Sequence, residues 1–460
     1  MDENQPPSGP QVEAPPEAAQ TLIEEKLPNG IYNNFFFETC NAIMWQSFGS
    51  PVILFIRQSG ASAFIVGSLS AIPLLLMPLT LASSQLVERW GYRRTAIICW
   101  TARWMFCSLL MLVALLDFPG FGDWRVPIVL LIIFLFHLTR NFGLSANIPW
   151  LTSIIPASRR GLYLSRTTLF ANFGSIGAFL IIGAILGSNP SLAQFAPVFL
   201  LGTLGGLGSS IFMSRIQPPP PRVSTVKRWS AGQPRQSFWA GVKMCFARPG
   251  FKTFVVIQSF YGLAFISIPP LSLIYLREKV GISPGTILYF STAGVVGATL
   301  TALLWGRWID RRGTNSLQLL AFAGMCLNSL LWFCIGLLGS DTANIALAAF
   351  VSLLSSVWIG ALNMSQTHSI MMLAPREDIV MFQNIATLMT QLSQALAPML
   401  WGILLDTLDH NQVMLKFGGL EIGSYRLFFV ASLLFGLVGV AFLGRLTWQT
   451  RREKPLEEDA

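Results

Sequence analysis

The sequence predicts an all-α membrane protein of twelve transmembrane helices, arranged as two pseudo-symmetric six-helix bundles. Three observations carry this reading. The 460 residues are 53% hydrophobic and only 12% charged, where a soluble domain carries about 25% charged residues, and the mean hydropathy is +0.57. Apolar runs near the length of about 20 residues that a helix needs to cross a bilayer recur along the whole chain. One charged turn occurs twice, half a chain apart.

The apolar runs place spans at 31–56, 64–86, 95–116, 126–148, 166–187, 194–214, 251–276, 286–306, 315–338, 343–371, 380–405 and 424–446. Before them, residues 1–27 are rich in Pro, Glu, Ala and Gln and have no apolar core. They read as a disordered tail and not as a signal peptide. The expected organisation is then a tail (1–27), a first bundle (28–214), a basic connector (215–250), a second bundle (251–446) and a second tail (447–460).

Charge sets the expected orientation. With both termini in the cytoplasm, the inside segments hold 23 of the 31 Lys and Arg, the outside segments six, and spans the remaining two, Arg103 and Arg140. The inverse topology violates the positive-inside rule nearly fourfold. The net charge of +9 is thus a topology signal, so it requires no nucleic-acid partner, and a cell membrane is the expected location. Pro218 to Pro221 end span six, and the connector carries eight basic residues between 215 and 252 with no acid. Its stretch Phe238–Phe246 is read as a basic tether near anionic headgroups, with a short interfacial helix as the less favoured alternative. The six cysteines form no CxxC or metal-spaced pair, so neither a disulfide nor a metal site is expected.

The repeated turn reads Ser83-Ser84-Gln85-Leu86-Val87-Glu88-Arg89-Trp90-Gly91 in the first half. In the second it reads Trp305-Gly306-Arg307-Trp308-Ile309-Asp310-Arg311-Arg312-Gly313, 222 residues on. A second repeat supports duplication: Pro156 and Pro375, each beside basic residues, precede spans five and eleven at a spacing of 219. With twelve spans in two sixes and a long central loop, this pattern resembles the major facilitator superfamily over residues 30–446. The second copy matches the family's G-x-x-x-D-R-x-G core through Gly306, Asp310, Arg311 and Gly313. The first departs from it, with Ser84 for Gly and Glu88 for Asp. Arg140-Asn141-Phe142-Gly143 resembles the family's span-four arginine motif, with the Gly one residue early. Span five lacks the Gly-Pro pair of drug:proton antiporters, which weakens a drug-efflux reading.

The resemblance implies that the charged turns latch the cytoplasmic ends of the two halves. A carboxylate there can accept hydrogen bonds from basic neighbours and face a helix N-terminus of the other half. The expected gate is Glu88, Arg89, Gly91, Arg93, Gly306, Asp310, Arg311, Arg312 and Gly313; simple anchoring with helix-stop glycines is the alternative.

Four ionisable residues lie within spans of the first half: Glu38, Arg103, His137 and Arg140. Counting about 1.5 Å per residue puts Glu38 and both arginines at one level, roughly 10–12 Å deep. An unpaired Arg near mid-membrane costs at least about 2.5–3.5 kcal/mol, so pairing with Glu38 is expected. Two readings stay open: a substrate or coupling site including Asn41, or a structural ion pair with His137 as a core residue. The second half offers neutral candidates: Gln258, Tyr261, Asn363, Gln366, Gln391 and Gln394. Ile268-Pro269-Pro270 must kink span seven.

A secondary transporter of a small solute follows from the resemblance, working by alternating access without ATP, since no Walker-type sequence is present. Glu38 makes proton coupling plausible, and the surplus positive charge mildly favours a substrate with an anionic group. The expected partners are that substrate, H+ and the lipid bilayer, with the chain a monomer and no cofactor. A receptor or scaffold on the same fold is the alternative from another class. An intramembrane enzyme is disfavoured, because no HExxH, GxSxG or metal-spaced cluster occurs at membrane depth.

Overall fold

A computed structural model of the chain describes residues 30–79, 84–155, 160–218, 238–373, 379–411, 414–417 and 420–453. The expected tail 1–27, most of the connector and the Pro156 and Pro375 turns lie outside these residues. Ten helices among the described residues are long and apolar enough to cross a membrane. They correspond to spans three to twelve, with ends such as Tyr92–Leu115, Pro284–Arg312 and Asp341–Leu373.

Spans one and two are broken. Span one is Tyr32–Phe48 followed by Ser50–Gln58, because Gly49 leaves helical geometry (φ −88°, ψ −108°) just before Pro51. Span two is Ala63–Leu75, which contains Pro73, followed by Ser84–Trp90. Span seven kinks as its sequence demands: Phe251–Tyr261, a π-turn at Gly262–Ile266, then Ile268–Glu278 with its prolines in the first turn. One carbonyl at that kink, Leu263, accepts from Trp401 Nε1 at 2.8 Å. Span eleven thus satisfies one of the carbonyls that the kink frees.

Two details correct the sequence reading. Phe238–Ala247 is a helix, and Cys245 within it packs with Phe251, Phe254 and Phe382 in an apolar cluster at the ends of spans seven and eleven. Cys245 and, in part, Val242, Met244 and Phe246 bury against protein, which a solvated tether would not allow, while Trp239 stays exposed. The described residues also include an antiparallel pair of three-residue strands, Leu415–Phe417 and Leu420–Ile422, in the last loop. The six cysteines are free thiols.

Helix packing makes the internal symmetry explicit. Span one packs on five and six, and three on four and six. In the second half eight packs on ten, nine on ten and twelve, and seven on eleven. Between halves, the main contacts are span two with eleven and span five with eight, pairings that exchange under a pseudo-twofold axis. The repeated turn obeys the same symmetry at atomic detail. Gly91 has φ 78° and ψ 162°, and Gly313 has φ 80° and ψ 163°. Each N–H closes the preceding helix at 2.8 Å, onto the carbonyls of Val87 and Ile309. Only glycine adopts that backbone region without strain.

Close approach between halves depends on missing side chains. A Cβ on Gly67 of span two would sit 2.1 Å from the Pro398 carbonyl oxygen of span eleven. Within the first half, a Cβ on Gly206 would sit 2.1 Å from Trp104 Cβ. Gly206→Leu is therefore expected to lower the melting temperature of the purified protein, through overpacking worth about 1–3 kcal/mol. Gly67→Val should leave the melt nearly unchanged and instead separate spans two and eleven, read as a longer spin-label distance between Ser188 and Thr407. Equal effects of the two on the melt would contradict this division.

Candidate functional site

Two places concentrate polar chemistry: the junction between halves, and a charged set inside the first half. One face of the molecule carries Arg89, Arg93, Arg94, Arg307, Arg311 and Arg312 at helix ends, and is called here the basic face.

At the opposite face the halves are fastened together. Asp406, near the end of span eleven, accepts from the backbone N–H groups of Ala63 and Phe64, both at 2.8 Å. Those donors are the first of the span-two helix, which have no partner within their own helix, and they lie at the positive end of its dipole. Under the pseudo-symmetry the same job falls to a backbone group: the Gly285 N–H at the start of span eight donates to the Gly187 carbonyl at the end of span five, 2.9 Å away. Arg57 at the end of span one donates to both oxygens of Glu278 in span seven, at 2.5 and 2.9 Å. Arg277 reaches the Ser188 carbonyl and Asn189 Oδ1 at 3.4 and 3.1 Å. Deeper in, Asn172 of span five donates to Thr299 of span eight at 2.7 Å.

The gate expected at the repeated turn looks different. Asp310, Arg311 and Arg312 are exposed, and Arg312 stacks on Trp308 of its own helix, 4.4 Å from the ring centroid. Arg93 donates to the Ser214 carbonyl within the first half at 2.5 Å. Gly306 and Gly313 have no atom crowding them from the other half. The Glu88 side chain lies outside what is described, while Arg89 is exposed. Among the described residues, no hydrogen bond or ion pair joins the halves at the basic face.

Inside the first half, Glu38, Asn41 and Trp45 share one face of span one, at i, i+3 and i+7. The expected ion pair between Glu38 and an arginine is not formed: among the described residues no carboxylate lies within 4.0 Å of Arg103 or Arg140. Arg103 is 2% exposed, and its guanidinium donates to Asn41 Oδ1. It also lies between the rings of Trp100 and Phe136, at 5.0 and 5.3 Å. Amide and π-faces replace the carboxylate as its partners. Arg140 stands over the Trp45 ring at 5.1 Å, and beyond that has a 3.4 Å contact to Asn141 Oδ1. His137 is wedged edge-on against Trp45, Phe48 and Phe136, with ring centroids 5.9, 6.4 and 5.2 Å away. Its Nδ1 is buried without a hydrogen-bond partner.

The neutral candidates of the second half divide. Gln258 and Gln394 are buried and bond to each other at 3.3 Å, so they join spans seven and eleven and are not exposed to a solute. Tyr261 is 3% exposed, at the start of the π-turn. Gln366 of span ten reaches Thr390 of span eleven at 3.4 Å. Asn363 is exposed and Gln391 partly so, with Gln391 Oε1 buried and unpartnered. Asn363 is the exposed member of the set.

The sequence reading missed the fastening residues Asp406, Glu278, Arg57 and Arg277, which it treated as span ends or loop charges. The signal available was modest: Asp406 and the start of span two both fall on the outside under the expected topology. Trp45 was also missed, although it falls seven residues after Glu38.

The Major Facilitator Superfamily model matches residues 35–327 and 253–460, and the chain belongs to that superfamily. It is a secondary transporter working by alternating access, not an enzyme. Solved structures of the same fold include a single-substitution mutant of the nucleoside transporter NupG, at 12% identity and TM-score 0.68, covering 90% of this chain and 99% of that one. A bacterial homolog of the human lysosomal transporter Spinster, in an inward-facing and occupied conformation, aligns at 14% identity and TM-score 0.67, over 91% and 96%. A D-xylose–proton symporter aligns at 14% identity and TM-score 0.65, over 90% and 95%. No curated protein matches the chain.

If Asp406 fastens the halves, Asp406→Ala removes both trans caps and their charge–dipole attraction, worth about 1–2 kcal/mol. The closed-to-open ratio at that face should fall about fivefold to thirtyfold, measured from spin-label distances between Ser188 and Thr407. An unchanged distance distribution would refute the fastening role.

Proposed function

We propose that the protein carries a small organic solute bearing an anionic group, coupled to protons through Glu38, and that the arrangement described above is its inward-facing state. The observation that carries this reading is the distribution of bonds between halves: those described lie at the face opposite the basic one or deeper within the spans. With the basic face in the cytoplasm, as the positive-inside asymmetry favours, the pathway is closed to the outside and free to open inward. Both termini are then cytoplasmic and the protein sits in the plasma membrane as a monomer. The halves 28–214 and 251–446 are the moving bodies, joined by the connector 215–250.

In this reading Glu88, Arg89, Arg93, Asp310, Arg311 and Arg312 form the inner latch, with Gly91, Gly306 and Gly313 shaping it. The exposure of Asp310, Arg311 and Arg312 fits a latch that is open in this state. Arg140 supplies the anion site, because among the described residues its guanidinium has no carboxylate within 4.0 Å to neutralise it and stands on the ring of Trp45, which shares a face of span one with Glu38 and Asn41. Two cations and one carboxylate at one depth leave room for one substrate charge. Protonation of Glu38 would alter that balance, which couples proton and solute. Asn363 and Gln391 are the candidate neutral contacts from the second half.

The test is a thermal-stabilisation screen of the purified protein against organic acids, sugars, amino acids and amines. A ligand at 100 times its Kd adds about 2.7 kcal/mol, so a stabilising acid is readily seen, and Arg140→Gln should lose its effect. In proteoliposomes, Glu38→Gln should abolish uptake of that acid driven by a pH gradient while retaining acid–acid exchange. Identical gradient-driven rates in wild type and Glu38→Gln would remove Glu38 from the mechanism.

A further inference from the structure

Inside the first half, between spans one, two and four, lies a crevice of about 210 Å³ whose ten lining residues include Trp45, Phe48, Leu69, Ser70, Ile133 and His137. Every lining residue belongs to the first bundle. Both helix breaks of that bundle border it: Gly49, where span one leaves helical geometry, and Pro73 inside span two. Proline has no N–H to offer the carbonyl four residues earlier, which is that of Leu69, another lining residue. Irregular backbone at membrane depth is tolerated where it is buried in protein or lines a cavity.

The walls are apolar, with Trp45 and Phe48 set among aliphatic side chains, and the polar groups are few. His137 presents a ring held edge-on by three aromatic neighbours, with its buried Nδ1 unpartnered. The residue is 7% exposed. An orphaned nitrogen of this kind costs about 1–3 kcal/mol unless a partner arrives. Ser70 adds a hydroxyl that back-bonds to the Val66 carbonyl at 3.4 Å, leaving its oxygen lone pairs available. At the rim, Trp45 closes the crevice and carries Arg140 on its ring. Arg140 and His137 are one helical turn apart on span four, about 5 Å along the axis.

From this juxtaposition we infer that the crevice is the substrate's ring pocket, and that the transported solute is a planar aromatic acid with a hydrogen-bonding ring substituent. The ring slides between Trp45, Phe48 and Ile133, where offset and edge-on aromatic packing favours a flat ring over an alkyl one. The acid group meets Arg140 at the rim, and the ring substituent reaches His137 at the inner end. The inference rests on the reading of Arg140 as the anion site and adds the ring pocket to it.

Binding of four probes to the purified full-length protein separates the two claims: 4-hydroxybenzoate, benzoate, cyclohexanecarboxylate and the neutral 4-hydroxybenzyl alcohol, by calorimetry. The expected order is 4-hydroxybenzoate tightest, benzoate weaker, cyclohexanecarboxylate at least tenfold weaker than benzoate, and the alcohol weakest. Ile133→Trp, which fills the crevice, should weaken both aromatic acids at least tenfold while leaving cyclohexanecarboxylate unchanged. Ser70→Val is a milder filling variant with the same expected direction, and melting curves of both variants verify that they fold. His137→Phe should remove the advantage of 4-hydroxybenzoate over benzoate. Equal affinities for benzoate and cyclohexanecarboxylate, or folded Ile133→Trp and Ser70→Val proteins that bind benzoate normally, would overturn the ring pocket while leaving Arg140 as an anion site. Equal affinities for 4-hydroxybenzoate and the alcohol, with Arg140→Gln without effect, would instead overturn the anion site on which the inference rests.

Discussion

The first N–H groups of a membrane helix have no partner in their own helix, and two helices of this protein satisfy theirs in the other half of the molecule. Span two begins on the Asp406 carboxylate and span eight on the Gly187 carbonyl. Backbone donors at a helix start have no partner in their own helix and gain from an acceptor at the positive end of its dipole, so these trans caps make the joined arrangement favourable as long as the halves stay together at that face. Gly67, which lets the Pro398 backbone approach, is a condition of the same contact. At the other end of the spans, Arg89, Asp310, Arg311 and Arg312 of the charged turns are exposed.

Much of the fold was legible because it rests on length, period and charge asymmetry. The twelve apolar runs, the kink at Pro269–Pro270 and the equivalence of Gly91 and Gly313 need only local chemistry to be read. The helix Phe238–Ala247 was misjudged because its worth lies in burying Cys245 and its neighbours against spans seven and eleven, a tertiary gain that local composition does not display. The ion pair expected for Glu38 failed for a related reason. Depth along a helix is countable from sequence, but azimuth between helices is not, and Asn41 with two π-faces occupies the guanidinium of Arg103. Gln258 and Gln394 illustrate the same limit, since each looks like a solute contact until the other is found opposite it.

Buried polarity is distributed unevenly between two halves whose backbones match closely. The first half holds Glu38, Arg103, His137 and Arg140, packed among aromatic rings. At comparable depth the second half holds paired amides. Duplication thus preserved the scaffold, down to matching dihedral angles at the repeated glycine, while side chains at equivalent depths diverged in chemistry. Cation–π partners make the charges tolerable without neutralising them, so the net field of the first half persists at the centre of the molecule.

The two trans caps are equivalent in geometry and unlike in kind. One seam, between spans two and eleven, is closed by an ionised side chain; the other, between spans five and eight, by neutral peptide groups. Dissolved salt screens the first and barely touches the second. Raising the ionic strength on that side therefore loosens one edge of the joint ahead of the other, and the halves part like a door on its hinge instead of two plates lifting together. The neutral seam is the hinge line.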